Sequence, residues 1–156
     1  MTEEEEIKAN AIFYEITPDR LKELSVKEIN EIRMTTNEVY DIYLGGINVV
    51  FVKGQPYKNL SELSNDYQKN DRIKVSRDFN NSRLFGRDCN LKFRAVHDYY
   101  HILLDEEFNY AGESSVYETQ KTLYPEKYHK ILYSEIVLQA AYFTYYNEFS
   151  NQKIVY

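Results

Sequence analysis

Two histidines four residues apart are the residues in this chain best suited to chemistry. His97 and His101 lie in the run Phe93–His101, and Gly112 and Glu113 follow. Positions four apart share one face of a helix, so both imidazoles can point at one ligand. Two imidazoles and a carboxylate from the next element suit a divalent ion such as Zn²⁺, Mn²⁺ or Fe²⁺. His97, His101 and Glu113 are therefore the candidate ligands of a metal site.

The segment His97-Asp98-Tyr99-Tyr100-His101 has the spacing of the zincin motif H-E-x-x-H. Asp98 stands where that motif has its general-base glutamate, so we expect it to act as a base or to orient a histidine. A structural alternative fits the spacing as well. There Asp98 accepts a hydrogen bond from Arg94, the histidines pack in a polar interior seam, and Glu113 stabilises a helix N-terminus. Spacing alone favours this alternative.

Further candidate site residues lie near the end of the chain. Glu148 and Gln152 are four residues apart after an aromatic run. If the last helix packs against the histidine helix, Glu148 adds a catalytic carboxylate and Gln152 a substrate contact. The alternative is that both are exposed at a fraying terminus. We expect the third histidine, His129, at the surface.

Basic residues cluster between positions 69 and 94. Within this segment Arg72 and Arg94 are candidate substrate-binding residues, and their charge suits a phosphate-containing ligand or nucleotide. The alternative is that these basic residues lie on solvent-exposed loops and strand edges, which have the same composition without binding a ligand. The net charge of −6 argues against extended nucleic-acid binding.

The length predicts a single domain over residues 1–156, because a chain of this size can bury a hydrophobic core without disulfides or a structural metal. The acidic first ten residues have a composition that can stay disordered. One cysteine, Cys89, excludes an internal disulfide and a thiolate zinc cluster. No apolar run has the length of a membrane span, and we expect a cytoplasmic protein.

The fold class predicted is mainly α (α+β), with a small β-hairpin in the N-terminal half. Thr17-Pro18 predicts a short helix, and Ser25 caps a second one that ends at Gly45-Gly46. Residues 47–53 and 72–77 are the two strand candidates, and Asn59 caps a helix between them.

The C-terminal half is predicted to hold about three packed helices. The polar segment 78–90 predicts a loop, and Asn90 then caps the histidine helix. A second helix begins at Glu113, and a third runs from Pro125 to about Phe149.

From Pro56 to Gln152 the chain resembles an uncharacterised phage-encoded domain family. Its members follow F-R-x-V-H-D-Y-F-G-H, then G-E-E-N-A, then E-T-R-G-Q. The residues that carry the likeness are the run Phe93–His101, Gly112-Glu113 and the segment Glu148–Gln152. The family glycine before the second histidine is missing here, and its later histidine falls at Gln120.

This resemblance implies a functional site at His97, His101 and Glu113, and a phage protein in the cytoplasm of an infected bacterium or packaged in the virion. It implies no reaction. Two functions stay open: a metal-dependent hydrolase or related enzyme, and a non-enzymatic counter-defence protein that binds and inhibits a host protein. In the second, the His/Glu cluster would be a buried polar network.

Overall fold

A computed structural model describes residues 1–156. The chain is mainly helical with one small sheet, which confirms the predicted α+β class. None of the helices combines the length and apolar character needed to cross a membrane. The elements in chain order are α1 (Glu3–Ile16), α2 (Val26–Leu44), β1 (Asn48–Val52), α3 (Leu60–Asn70), β2 (Arg72–Ser76), α4 (Arg87–Leu104), α5 (Tyr110–Gln120), α6 (His129–Tyr133) and α7 (Gln139–Tyr146).

The chain divides into two compact units. The middle unit is Val26–Phe108, and the terminal unit joins Met1–Ser25 to Asn109–Tyr156. The middle unit contains α2 to α4 and both strands, and the terminal unit contains α1 and α5 to α7.

In the middle unit the two strands pair in parallel, so the predicted hairpin is wrong. The register runs from Asn48 opposite Arg72 to Val52 opposite Ser76. Helix α3 lies between the two strands in the sequence. A helical crossover of this kind brings the chain back to the end of the sheet where β1 began, so that β2 runs parallel to β1, whereas a hairpin joins its strands by a short turn. The cap predicted at Asn59 is confirmed, because its side chain accepts a 3.0 Å hydrogen bond from the Glu62 backbone N–H. Helix α2 ends before Gly45, as predicted.

Helix α4 begins earlier than the sequence predicted. Its N-cap is Gly86, whose φ of +75° is a conformation that glycine adopts easily. Asn90, the predicted cap, is instead buried inside the helix and donates a 2.8 Å hydrogen bond to the Asn80 side chain. Its amide therefore fastens the preceding loop to α4 rather than capping the helix.

In the terminal unit the acidic N-terminus is helical, which corrects the expectation of disorder. Thr2 caps α1 in a capping box with Glu5, and four glutamates in the first turn complement the helix dipole. Thr17 ends α1, and only a 3₁₀ turn at Leu21–Glu23 follows in place of the predicted short helix. Tyr14 of α1 is buried against Leu138 and Val155.

The final helix is less regular and shorter than predicted. A 3₁₀ turn at Glu126–Tyr128 precedes α6, a π-helical segment Ser134–Leu138 joins α6 to α7, and Asn147 ends the helix in the left-handed conformation. The Ser134 hydroxyl, at the start of the π-helical segment, accepts a 3.0 Å hydrogen bond from the Val155 N–H. The π-helical segment thus binds the C-terminal residues through this side chain. Helix α5 begins at Tyr110 rather than Glu113, with Asn109 as its cap.

Candidate functional site

Helix α4 brings His97 and His101 together, as the four-residue spacing predicted. Their Nε2 atoms lie 3.1 Å apart, and their rings are nearly perpendicular at 82°. His101 is 0% exposed, whereas His97 is half-buried. The pair is thus closed on the His101 side and partly open on the His97 side.

The end of α4 determines which nitrogen of His101 carries a proton. Asp105 adopts the left-handed conformation, which turns the chain back so that Glu106 faces His101. The Glu106 N–H donates to the His101 carbonyl at 3.1 Å, and the Glu106 carbonyl lies 2.7 Å from His101 Nδ1. A carbonyl only accepts, so Nδ1 of His101 must be the donor. In the neutral ring, Nε2 therefore presents its lone pair toward His97.

This arrangement is the one that metal-binding histidines usually show. Ligating imidazoles commonly donate their second ring N–H to a carbonyl or carboxylate, which fixes the tautomer and the ring. Two nitrogens bound at about 2.0–2.1 Å to a tetrahedral ion are separated by roughly 3.3 Å. The observed separation of 3.1 Å is close to that value. Without an ion, the same contact is satisfied by a hydrogen bond from His97 Nε2–H to His101 Nε2.

Aromatic rings surround the pair within the middle unit. Phe93 stacks on His97 with centroids 6.3 Å apart, and Phe85 stacks on Phe93 at 4.4 Å. On the other side, Phe108 meets the His101 ring edge to face at 5.1 Å. These rings hold the imidazoles in place and lower the local dielectric, which strengthens any charge interaction at the pair.

Asp98 and Glu113, the two predicted acidic partners, differ in setting. Asp98 is half-buried on α4, and neighbouring positions on a helix do not share a face. The raised pKa of Tyr57 arises chiefly from burial of its ring, and the negative charge of Asp98 adds a smaller contribution. Glu113 belongs to the terminal unit, half-buried in the first turn of α5, where its N–H donates to the Asn109 carbonyl at 2.8 Å. Its role as third ligand stays a prediction from the sequence.

The two predicted substrate-binding arginines are engaged inside the middle unit. Arg72 forms a two-pronged ion pair with Asp66, whose shortest N–O distance is 2.8 Å, and this pair holds the pKa of the Asp66 carboxyl far below its usual range. Arg94 donates to the carbonyls of Ser76, Asp78 and Phe79 at 2.7–2.9 Å. Both guanidinium groups therefore brace the fold, and a substrate role for either stays a prediction.

Glu148 and Gln152 both lie after the end of α7 in the terminal unit. Glu148 is exposed and accepts a 3.1 Å hydrogen bond from the Tyr142 hydroxyl. Gln152 is half-buried and donates to both carboxylate oxygens of Glu135, at 3.0 and 3.1 Å. His129, the third histidine, has Nε2 3.0 Å from the Tyr124 carbonyl. The catalytic role of Glu148 and the substrate role of Gln152 stay predictions.

Sequence reasoning missed the turn that supports the histidine pair. The Glu106 carbonyl orients His101, and the Glu107 carboxylate accepts hydrogen bonds from the N–H groups of Leu60 and Phe108 at 2.8 and 3.1 Å. These bonds lower the pKa of Glu107 and tie the start of α3 to the segment after α4. Two acidic residues after a helix give no signal of such roles, because Glu106 acts through its backbone carbonyl and the Leu60 partner of Glu107 is 47 residues away.

Neither the family models nor the curated proteins nor the solved structures contain a match to this chain. The resemblance to the phage-encoded family therefore stays a prediction.

Proposed function

We propose that α4 carries a divalent-metal site in which His97 and His101 are ligands, and that the protein is a metal-dependent hydrolase or related enzyme acting on a phosphate-containing substrate. The observation that carries this proposal is the geometry of the histidine pair. One imidazole is fixed with its Nε2 lone pair facing the other, 3.1 Å away.

The chemistry of the pair favours Zn²⁺, Mn²⁺ or Fe²⁺ over Mg²⁺ or Ca²⁺. Neutral imidazoles bind the first three well, whereas Mg²⁺ and Ca²⁺ prefer oxygen ligands. Two imidazoles leave coordination positions for a carboxylate and a substrate, and Glu113 is the carboxylate that the sequence predicts. A divalent ion held there supplies Lewis-acid activation of water or of a phosphoryl group.

The protein's own groups have defined tasks in this proposal. The Glu106 carbonyl keeps His101 in the ligating tautomer, and the phenylalanine rings restrict water around the pair. Asp98 is proposed as a base or as a group that orients a histidine, and Glu148 as an additional carboxylate. Through the family resemblance we assign the reaction to a phage protein working in the cytoplasm of an infected bacterium.

Metal analysis of untagged protein tests the site directly. We expect about one equivalent of Zn²⁺, Mn²⁺ or Fe²⁺ after dialysis, and a higher melting temperature when the ion is added to stripped protein. His97→Gln and His101→Gln should each abolish this shift. His129→Gln is the matched control, because it removes an imidazole whose Nε2 lies at a backbone carbonyl, and its shift should equal that of the wild type.

If the stripped wild type gains no stability with any of the three ions, the metal site is refuted. The predicted third ligand has its own test. Glu113→Gln should weaken metal binding at least tenfold, with Glu126→Gln, an exposed carboxylate, as the matched control. Equal affinity in the two variants would remove Glu113 from the ligand set while leaving the histidine pair in place.

A second function, inhibition of a host protein, is favoured by exposed aromatic residues in the terminal unit. Phe143 and Phe149 stack at 4.7 Å although 41% and 60% of their surfaces are exposed. Exposed apolar patches often mark protein–protein contacts. In this case Phe143→Ser with Phe149→Ser would abolish capture of one bacterial protein, whereas His97→Gln would leave capture unchanged. Capture that survives the double substitution would refute this function for the aromatic pair.

A further inference from the structure

We propose a second binding site in the middle unit, where Arg77 and Arg87 bind the phosphoryl group of a small hydroxylated molecule. A pocket of about 300 Å³ opens beside the N-terminus of α4. Its lining residues are Arg77, Asn80, Asn81, Arg87, Asp88 and Leu91. This site goes beyond the proposed metal centre and does not depend on it.

The two arginines differ from their neighbours in being free to bind an anion. Arg72 forms an ion pair with Asp66, and Arg94 donates hydrogen bonds to backbone carbonyls. By contrast, the side chains of Arg77 and Arg87 are exposed and make no hydrogen bond or ion pair within the protein. Two unpaired guanidinium groups facing one pocket form an anion site, because arginine presents a fork of N–H donors that matches phosphoryl oxygens.

The walls that hold these arginines are braced by hydrogen bonds. Asn80 accepts from the Asn90 amide at 2.8 Å and donates to the Arg87 carbonyl at 3.1 Å, which ties the loop to the first turn of α4. On the other wall, the Arg77 N–H donates to the Val52 carbonyl at 2.7 Å, extending the parallel strand pair by one residue. The backbone that carries both arginines is thus preorganised, which reduces the entropy lost on binding.

The helix end adds to the positive potential without being the basis of the site. Gly86 has no side chain to cap α4, and no other side-chain group caps it. The first N–H groups of α4 therefore contribute partial positive charge on the same side as Arg87.

Asp88 and Leu91 restrict the class of ligand. The Asp88 carboxylate is exposed in the pocket lining and repels a bare anion, but it accepts hydrogen bonds from hydroxyl groups. Leu91 supplies an apolar surface. A sugar phosphate or a nucleoside monophosphate offers a phosphoryl group to the arginines and hydroxyls to Asp88. The volume lies at the lower end for small-molecule pockets, which fits such a ligand.

Calorimetric titration tests this proposal with three probes: inorganic phosphate, ribose 5-phosphate and AMP. EDTA is present throughout, so that the result does not depend on the metal centre. We expect ribose 5-phosphate to bind at least tenfold more tightly than inorganic phosphate. Tighter binding of AMP identifies a nucleotide pocket, and equal binding of AMP and ribose 5-phosphate identifies a sugar-phosphate pocket.

Arg77→Gln and Arg87→Gln should each weaken ribose 5-phosphate binding about tenfold or more, since each removes charge-assisted hydrogen bonds. Lys69→Gln is the matched control, because Lys69 is an exposed cation of the same basic segment outside the pocket; it should change affinity less than twofold. Melting temperatures of all three variants should equal that of the wild type. Absence of binding by all three probes at millimolar concentration, or wild-type affinity in both arginine variants, would overturn the proposal.

Asp88→Asn separates the phosphoryl contact from the hydroxyl contact. Loss of the carboxylate should strengthen binding of inorganic phosphate, because a like charge is removed, and should reduce the advantage of ribose 5-phosphate over phosphate. An unchanged advantage would contradict the assignment of Asp88 to the ligand's hydroxyls.

Discussion

The hydroxyl of Tyr57 accepts a 2.9 Å hydrogen bond from the backbone N–H of Lys74, in the middle of β2. β1 covers one edge of β2, and Tyr57 covers an N–H on the other. The same hydroxyl donates to Asp66 at 2.6 Å. A side chain thus substitutes for a third strand at this edge, which reduces the tendency of an open edge to pair with another chain.

Tyr57→Phe should lower the free energy of unfolding by about 1 kcal/mol. The substitution leaves the Lys74 N–H without its partner and removes a hydrogen bond to a charged carboxylate, while the ring volume stays nearly the same. Urea unfolding followed by circular dichroism measures the change. Tyr145→Phe is the control, because the Tyr145 hydroxyl is exposed and makes no hydrogen bond. Equal stability of the two variants would contradict the role given to Tyr57.

Stability should fall steeply in acid because of Asp66. Arg72 chiefly, with Tyr57 and Asn70, holds the pKa of this carboxyl well below its ordinary value of 3.8. A group with a depressed pKa stabilises the folded state fully above its unfolded-state pKa, and the contribution disappears as the pH falls toward the folded-state value. Asp66→Asn should therefore be less stable than the wild type at pH 7, with a difference that shrinks below about pH 4. Chemical unfolding at pH 7, 4 and 3 checks this. A difference that is the same at all three would refute it.

Local signals in the sequence predicted α2, α3 and both strands, but they missed α1 and did not indicate how the strands pair. The cap at Asn59 and the stop at Gly45 depend on residues within one turn, so they could be predicted. The parallel register of Asn48 with Arg72 depends on where α3 packs, which no short motif encodes. Asn90 looked like a cap, yet the loop at Asn80 uses its amide instead.

The histidine pair illustrates the same limit within the candidate site. Helical spacing was enough to predict that His97 and His101 meet, because both lie on α4. The group that fixes the tautomer of His101 is a backbone carbonyl, and any residue at position 106 supplies one. Likewise Arg72 and Arg77 are the same residue type five positions apart, and only the fold places a carboxylate against Arg72.

Gly86→Ala should destabilise the protein by roughly 1–3 kcal/mol. The φ of +75° and ψ of 175° lie in a region that is nearly restricted to glycine. An added Cβ would lie 3.5 Å from the Arg33 guanidinium, an ordinary contact, so the cost arises from the backbone. Gly46→Ala is the matched control, because its φ is not in the left-handed region and an added Cβ meets nothing within 4 Å. Thermal unfolding of the two variants compares them; equal melting temperatures would contradict the strain at Gly86.

Ser134→Ala should lower the free energy of unfolding by about 1–3 kcal/mol. The Ser134 hydroxyl accepts from the buried Val155 N–H at 3.0 Å and donates to the Lys153 carbonyl at 3.3 Å. Removal leaves a buried donor unsatisfied. Limited proteolysis should also cut the last residues faster in this variant. Ser115→Ala, at an exposed position of α5, should match the wild type in both measurements, and faster cutting without loss of stability would show that only the tail is loosened.

Acid should release the metal proposed for α4. An imidazole ligates only when neutral, so protons compete with the ion for Nε2 of both histidines. We therefore expect metal affinity to fall about tenfold or more between pH 7.5 and 5.5, with proton release on binding at pH 6. Calorimetry in two buffers of different ionisation enthalpy measures that release. Metal binding that neither weakens in acid nor releases protons would show that the ion is held by carboxylates, and the histidine pair would then be only a structural hydrogen bond.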